Sequence, residues 1–267
     1  MGLKIELTFS DEIDAKNKDT FARAADRWSD IIKHDLPPVQ LPHGAWVSGI
    51  RVDVQGINLP HTHGIRGKAG PTYLRPDSLL PAAGILQADP AALHRLEAQG
   101  ILYPALLHQM AHVLGFGLLW SSAYLNLVAD EGGYAPLFTG PKATQLYSEL
   151  TGCAQPGVPV ENTGGRGNRD FHWREHIFGN ELMSGHMDAV SSPLSRLTLA
   201  ALEDMGYTVD YAAAEAYALP HPQQAATRQL DLNSICRTCQ HASYHPDITI
   251  LSPESLPAAY EERAVLI

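Results

Sequence analysis

The chain has 267 residues, of which 45% are hydrophobic and 18% charged, and its formal net charge is −10. This size and hydrophobic content are enough for one large domain or two small lobes. The acidic balance argues against a phosphate-binding surface, so we expect no nucleic-acid partner. No run approaches the roughly 18 consecutive apolar residues that span a bilayer, and we expect no transmembrane segment.

The amino-terminal half alternates strand and helix patterns. Ile5, Leu7 and Phe9 alternate with polar residues, as in a half-buried strand, and apolar residues in 21–32 then recur at helical spacing. Three further extended segments are predicted at 50–58, 72–75 and 84–89. This half is therefore predicted to be α/β.

The helices that follow are bounded by proline, glycine and capping residues. A short helix is predicted from Asp89-Pro90 to Glu97, and a strongly apolar core helix covers 101–114, where Gly115 stops it. The remaining predicted segments are an irregular stretch at 121–170 with a short helix at 142–150, a helix at 193–205 capped by Ser192, and an extended segment at 219–267.

These elements predict a three-part organisation. An amino-terminal subdomain covers 1–117, a carboxy-terminal subdomain covers 118–217, and the extension 218–267 packs on the rest because it is too short to form its own core. The first residues do not read as a signal peptide, which leaves localisation open between cytoplasmic and secreted. A monomer is the default expectation.

The apolar helix carries a candidate metal site. His108 and His112 lie four residues apart, so both imidazoles project from one face and can bind one tetrahedral ion such as zinc. Such a pair alone is also compatible with two core histidines. The segment 108–116 reads HQMAHVLGF, in which Gly115 permits an abrupt bend directly after the second histidine.

This segment resembles the metzincin zinc peptidases, and a second segment resembles one family among them. Residues 172–185 read HWREHIFGNELMSG, which is similar to the distant third-ligand segment of the leishmanolysin-like peptidases. The resemblance covers roughly 3–217 and implies a metzincin-type α/β fold. It predicts a twisted mixed sheet with an active-site helix, followed by an irregular, mainly helical subdomain.

The resemblance also implies the site residues. His108, His112 and His172 would bind one catalytic Zn²⁺, with His176 and His186 competing for the third place, and Met183 would support the site from a tight turn. Trp120 and Trp173 are interpreted as packing residues. The segment 84–89 is predicted to be an edge strand that pairs with extended protein or peptide substrate through Gly84, Ile85, Leu86 and Gln87.

One residue departs from the metzincin pattern. The family's general base is a glutamate directly after the first histidine, and here that position holds Gln109. An amide can hydrogen-bond a water molecule but cannot accept its proton at neutral pH. Two explanations remain open: an inactivated Glu-to-Gln mutant of a metalloendopeptidase, or a natural zinc-binding pseudopeptidase that binds peptides. A third hypothesis, that the histidines are structural and no metal binds, would require three independent motif matches to be accidental.

Two further groups of potential ligands stand outside this site. Cys236 and Cys239 form a C-x-x-C pair with His241 and His245 nearby. Four interpretations of these cysteines remain open: ordinary cysteines in a docked tail, a local disulfide, a second metal site, or a thiol that reaches the catalytic zinc. His61 and His63 also form a weak metal candidate.

Overall fold

Most strands of the amino-terminal half of the protein belong to one five-stranded sheet. We describe the protein from a computed structural model, which covers residues 2–57, 69–164, 168–185, 192–220 and 247–257. Its strands are β1 (Ile5–Phe9), β2 (Val39–Gln40), β3 (Trp46–Val47), β4 (Ile50–Gly56), β5 (Ala69–Leu74), β6 (Pro81–Ala88), β7 (Val128–Ala129), β8 (Leu137–Phe138), β9 (Val158–Pro159) and β10 (Thr249–Ile250). The alternating patterns of β1 and β4 thus form strands as predicted.

The five-stranded sheet has the order β1-β4-β6-β5-β10. The strands β1, β4 and β6 are parallel, β5 runs antiparallel to β6, and β10 runs parallel to β5. The prediction that 84–89 forms an edge strand is therefore wrong. Gly84, Ile85 and Leu86 belong to β6 and pair with β4 on one side and β5 on the other, and Gln87 pairs with Gln55 of β4.

The described residues contain the helices α1 (Ala15–Ile31), α2 (Pro90–Ala98), α3 (Leu102–Val113), α4 (Pro141–Thr151), α5 (Glu175–Phe178) and α6 (Arg196–Asp204). Three helices begin and end within one residue of the predicted positions, α2, α3 and α4; α1 begins before the predicted pattern, α6 begins three residues later than predicted, and α5 was not predicted. Asp89 caps α2 through a hydrogen bond from the amide of Ala91. The cap predicted for the last helix is wrong, because Ser195 rather than Ser192 accepts a hydrogen bond from Thr198 at its start.

The helix α3 runs through the core, as predicted. It packs against α1, β5 and β6, and the indole of Trp28 in α1 donates a hydrogen bond to the carbonyl of Leu107. The segment Leu102–Trp120 is long and apolar enough to cross a membrane, with a mean hydropathy of 1.2, but 89% of it is buried inside the protein. These properties are those of a core helix, so the segment supports no membrane-spanning role.

The second half of the chain is irregular, and one hydrophobic cluster joins it to the first half. Here β7, β8 and β9 form a small antiparallel sheet, α4 packs against α6, and the larger cluster of buried residues includes members of both halves, among them Leu3 and Tyr207. Trp120 and Trp173 are fully buried in this cluster with their rings 5.0 Å apart, which confirms their packing role. The subdomain division at residue 117 stays a prediction.

Part of the carboxy-terminal extension docks on the sheet. Thr249 and Ile250 pair with Tyr73 and Leu74, and the amide of Leu251 donates to the carbonyl of Leu74. The side chain of Leu251 is buried in a second, smaller hydrophobic cluster. The segment 247–257 is thus an ordered addition to β5, and the packing of the rest of 218–267 stays a prediction.

Candidate metal centre

Three histidine side chains converge in the core. His108 and His112 lie one turn apart on α3, and His172 comes from the irregular segment before α5. Their Nε2 atoms are 3.1 Å (His108 to His112), 3.1 Å (His112 to His172) and 3.2 Å (His108 to His172) apart. All three residues are buried, and together they form a group that could hold a metal ion.

The opposite ring nitrogens determine the tautomer of each histidine. The Nδ1 atoms lie close to main-chain carbonyl oxygens: His108 to Leu182 at 2.7 Å, His112 to Phe116 at 3.0 Å and His172 to Asn168 at 3.0 Å. A carbonyl only accepts, so the proton of each neutral ring lies on Nδ1. Each Nε2 is then left with a lone pair directed toward the other two.

Two of the histidines, His108 and His172, are also held in the neutral form that a metal requires. Burial, helped by the neighbouring histidine, lowers the pKa of His108 to about 3 and that of His172 to about 3. Three unprotonated Nε2 atoms this close cannot hydrogen-bond one another and repel. A cation bound among them removes that repulsion, so the donor set fits a metal ion.

Two glycines after α3 bring the third histidine to the first two. Gly115 has φ +98°, as expected for the residue that ends the helix. Gly117 has φ +79°, and a Cβ built on it would lie 2.4 Å from the carbonyl oxygen and 2.7 Å from the Cα of Phe171. Since Phe171 directly precedes His172, this close approach of two backbones sets the position of the third imidazole. Our sequence reasoning identified Gly115 but missed Gly117.

A buried glutamate, Glu161, organises the segment that carries His172. Its main-chain amide donates to the carbonyl of His172, and its carboxylate accepts hydrogen bonds from the amides of Asn162, Thr163 and Glu175. These bonds replace regular secondary structure in this region.

A second buried glutamate, Glu181, holds the turn that contains Met183. Its Oε2 accepts from the amide of Met183 at 2.6 Å, and its Oε1 accepts from the hydroxyls of Ser195 and Thr198, each at 2.6 Å. The Met183 carbonyl in turn accepts from the amide of Trp173. Met183 is fully buried, in agreement with a supporting role, and the turn is tied both to the His172 segment and to α6.

The other sequence-predicted candidates differ in their placement. Gln109 directly follows His108 on α3 and is buried, with 5% of its surface exposed. His176 is partly buried, burial lowers its pKa, and it is not part of the three-histidine group. The residues His61, His63, His186, Cys236, Cys239, His241 and His245 lie outside the described part of the chain.

The fold and the comparisons with known proteins agree on the class. A mixed sheet packed against a helix with paired histidines, followed by an irregular region that supplies a third, is a metzincin-type fold. The sequence model of the leishmanolysin family matches residues 59–236, about two thirds of the chain. The chain therefore belongs to the leishmanolysin family, whose members are zinc-dependent metallopeptidases.

A curated relative gives the same family. It is described as a leishmanolysin homolog from Crithidia fasciculata and is 30% identical over 142 residues. The match covers 51% of this chain but 21% of the relative, so this chain corresponds to about a fifth of that protein.

Proposed function

We propose that this chain carries the catalytic zinc site of a metalloendopeptidase, with His108, His112 and His172 as ligands. The observation that carries the proposal is the convergence of three buried imidazoles whose Nδ1 atoms are all engaged by main-chain carbonyls. Three protein ligands leave a fourth tetrahedral position open, as catalytic zinc sites require. A structural zinc site would instead have four protein ligands.

The donor set favours zinc over harder cations. Imidazole nitrogens suit zinc, whereas calcium and magnesium prefer oxygen ligands. Ligand arms of about 2.0 to 2.1 Å in a tetrahedron place neighbouring nitrogens roughly 3.3 to 3.4 Å apart, close to the 3.1 to 3.2 Å separations of the Nε2 atoms. A bound zinc would supply a water of lowered pKa and a Lewis acid that polarises the scissile carbonyl.

Gln109 determines how much of this chemistry the chain performs. It occupies the position of the general base, where its amide can orient a water molecule by hydrogen bonding but cannot take up a proton. General acid-base assistance is typically worth about 100- to 10,000-fold in rate. We therefore expect the chain to bind zinc and peptide but to hydrolyse peptide bonds very slowly, whether the glutamine is natural or the product of mutagenesis.

Extended peptide substrates fit the outer side of β5 better than β6. Within the described residues, the outer side of β5 pairs with β10 only at Tyr73 and Leu74, which leaves Ala69–Thr72 available for strand addition. A Cβ built on Gly84 would touch both Val113, the residue after His112, and the carbonyl oxygen of Gly70. The available part of β5 thus lies beside the end of α3 that carries the histidines.

Restoring the carboxylate tests the proposal. Gln109→Glu should raise cleavage of an unstructured protein such as casein by at least about 100-fold, and a metal chelator should abolish the gain. In the same background, His172→Ala should remove the activity and His176→Ala should retain it. Cleavage that survives His172→Ala but not His176→Ala would move the third ligand.

A second function is distinguished by the same experiment. Gln109 itself favours a zinc-binding pseudopeptidase that holds peptides without cutting them. A folded, zinc-loaded Gln109→Glu variant that cuts nothing across a broad peptide library would support that function over the peptidase. A wild-type chain without affinity for zinc would contradict both.

A further inference from the structure

A single peptide group connects the side chains of Glu181 and His108. The Leu182–Met183 peptide group lies between them: its carbonyl oxygen is 2.7 Å from Nδ1 of His108, and its N–H donates to Oε2 of Glu181 at 2.6 Å. Both partners therefore bind the same planar, polarisable group from opposite ends. The chain of contacts runs from a carboxylate through one peptide to an imidazole.

We propose that Glu181 is a positioning residue for the metal site, and that it orients and polarises His108 through the Leu182–Met183 peptide group. This inference rests on the proposed zinc site. A carboxylate that accepts from the peptide N–H increases the negative charge on the carbonyl oxygen, which strengthens that oxygen as an acceptor for Nδ1–H. A stronger bond at Nδ1 makes Nε2 a better electron donor, as a carboxylate in direct contact with a ligand histidine does.

The surroundings of Glu181 agree with a fixed, ionised carboxylate. Both of its oxygens face an amide that can only donate, Met183 on one side and Ser195 on the other, and two hydroxyls donate as well. Burial leaves the pKa of Glu181 raised, and the hydrogen bonds from Met183, Ser195 and Thr198 offset only part of that rise, so it is the set of donors around the side chain that favours the carboxylate form. A buried anion is costly, and it also offsets the charge of a divalent ion with three neutral ligands.

Of the three histidines, His108 is the one whose carbonyl partner belongs to a peptide group that also contacts Glu181, which makes the proposal specific to His108. The carbonyl that His112 faces belongs to Phe116, and the one that His172 faces belongs to Asn168. The N–H groups of those two peptides belong to Gly117 and Arg169, and neither is part of the Glu181 contacts. A change at Glu181 should therefore affect His108 selectively.

The variant Glu181→Gln removes the charge while keeping the size of the side chain and an acceptor for Met183; its NH2 group then faces the N–H of Ser195, so a loss of stability is expected beside any effect on zinc. Ser195→Ala is the matched control: it removes a hydroxyl donor to Oε1 and the side-chain cap of α6 but leaves the bond between Oε2 and Met183 in place. Zinc affinity, measured by competition with a chromogenic chelator, should fall about 10-fold or more for Glu181→Gln. For Ser195→Ala the change should stay within about threefold, although its thermal midpoint falls.

NMR chemical shifts provide a second test, which reports on the hydrogen bond at Nδ1 of His108. In zinc-loaded protein with ¹⁵N-labelled histidine, the Nδ1–H proton of His108 should move upfield in Glu181→Gln, while those of His112 and His172 stay in place. In the wild-type chain, zinc loading should move the Met183 amide proton downfield, because the polarisation acts in both directions. This measurement needs no variant and decides the question if Glu181→Gln fails to fold.

The outcomes are distinct. Unchanged zinc affinity and an unchanged His108 signal in folded Glu181→Gln would overturn the inference while leaving the zinc site intact. Equal losses of affinity in Glu181→Gln and Ser195→Ala would show that Glu181 acts only as a structural support. A Met183 amide that does not respond to zinc would also count against the relay, whereas a wild-type chain that binds no zinc refutes the proposed function itself.

Discussion

Replacing Gly117 by alanine tests whether the approach of two backbones sets the third ligand. Gly117 has φ +79° and ψ −57°, a conformation that residues with a Cβ rarely adopt. The new Cβ would lie 2.4, 2.7 and 2.9 Å from the carbonyl oxygen, Cα and carbonyl carbon of Phe171. All three atoms belong to the backbone, so no side-chain rotation can relieve the contact.

Two contributions determine the expected loss of stability. The forced positive φ costs roughly 1 to 2 kcal/mol, and overpacking in a rigid region costs about 1 to 3 kcal/mol more. We therefore expect Gly117→Ala to lower the free energy of unfolding by about 2 to 5 kcal/mol. Gly152→Ala is the matched control, because Gly152 has φ +71° but nothing lies within 4 Å of its built Cβ. It should lose only about 1 to 2 kcal/mol.

Urea unfolding and zinc competition together measure the effect. The Gly117 variant can relieve the clash only by moving Phe171, which displaces His172 and should weaken zinc binding by at least about tenfold. The Gly152 variant, which changes the end of α4, should bind zinc as the wild type does. Equal unfolding free energies for the two variants, or undiminished zinc affinity in Gly117→Ala, would refute the reasoning.

Two further predictions concern the buried histidines and the docked terminal segment. The pKa values of His108 and His172 lie near 3, below the usual value of 6.5, so the native metal-free protein binds fewer protons than the unfolded chain. Its stability should be fully present above about pH 6.5 and fall by several kcal/mol toward pH 3; a urea midpoint that does not change over this range would contradict the burial argument. Leu251→Ala should lower the free energy of unfolding by about 2 kcal/mol, whereas Ile250→Ala, at a side chain 48% exposed, should change it by less than about 1 kcal/mol. Similar losses in these two variants would show that the segment is not docked through Leu251.

The sequence predicted the parts of the site that local periodicity determines. The spacing of His108 and His112 places both on one helix face wherever that helix packs, so the pair was recognisable without tertiary information. His172 lies 60 positions from His112, and only the resemblance of its segment to a family motif connected it to the pair. The structure brings the three together, and zinc itself stays a proposal.

The features that the sequence did not reveal depend on distant contacts. Whether Gly84–Gln87 lie at an edge depends on which strands pair on each side of β6, and the antiparallel pairing with β5 cannot be read from the pattern of β6 itself. Ser195 rather than Ser192 is the cap because α6 begins at Arg196, three residues later than predicted, and the Ser195 hydroxyl also donates to Glu181, 14 residues away in the sequence. Glu181 is one of 29 acidic residues, and its neighbours in sequence do not indicate that it is buried.

The pairing of β10 with β5 has a consequence for how the protein is synthesised. Leu74 and its partner Ile250 are about 175 positions apart, so at roughly 5 to 20 residues per second the ribosome needs on the order of 10 to 35 s to deliver the outer strand. During that interval the end of β5 has unpaired backbone groups, which favour pairing with other nascent chains. A synonymous-codon change that slows translation between these positions should therefore increase aggregation during expression without altering the folded protein.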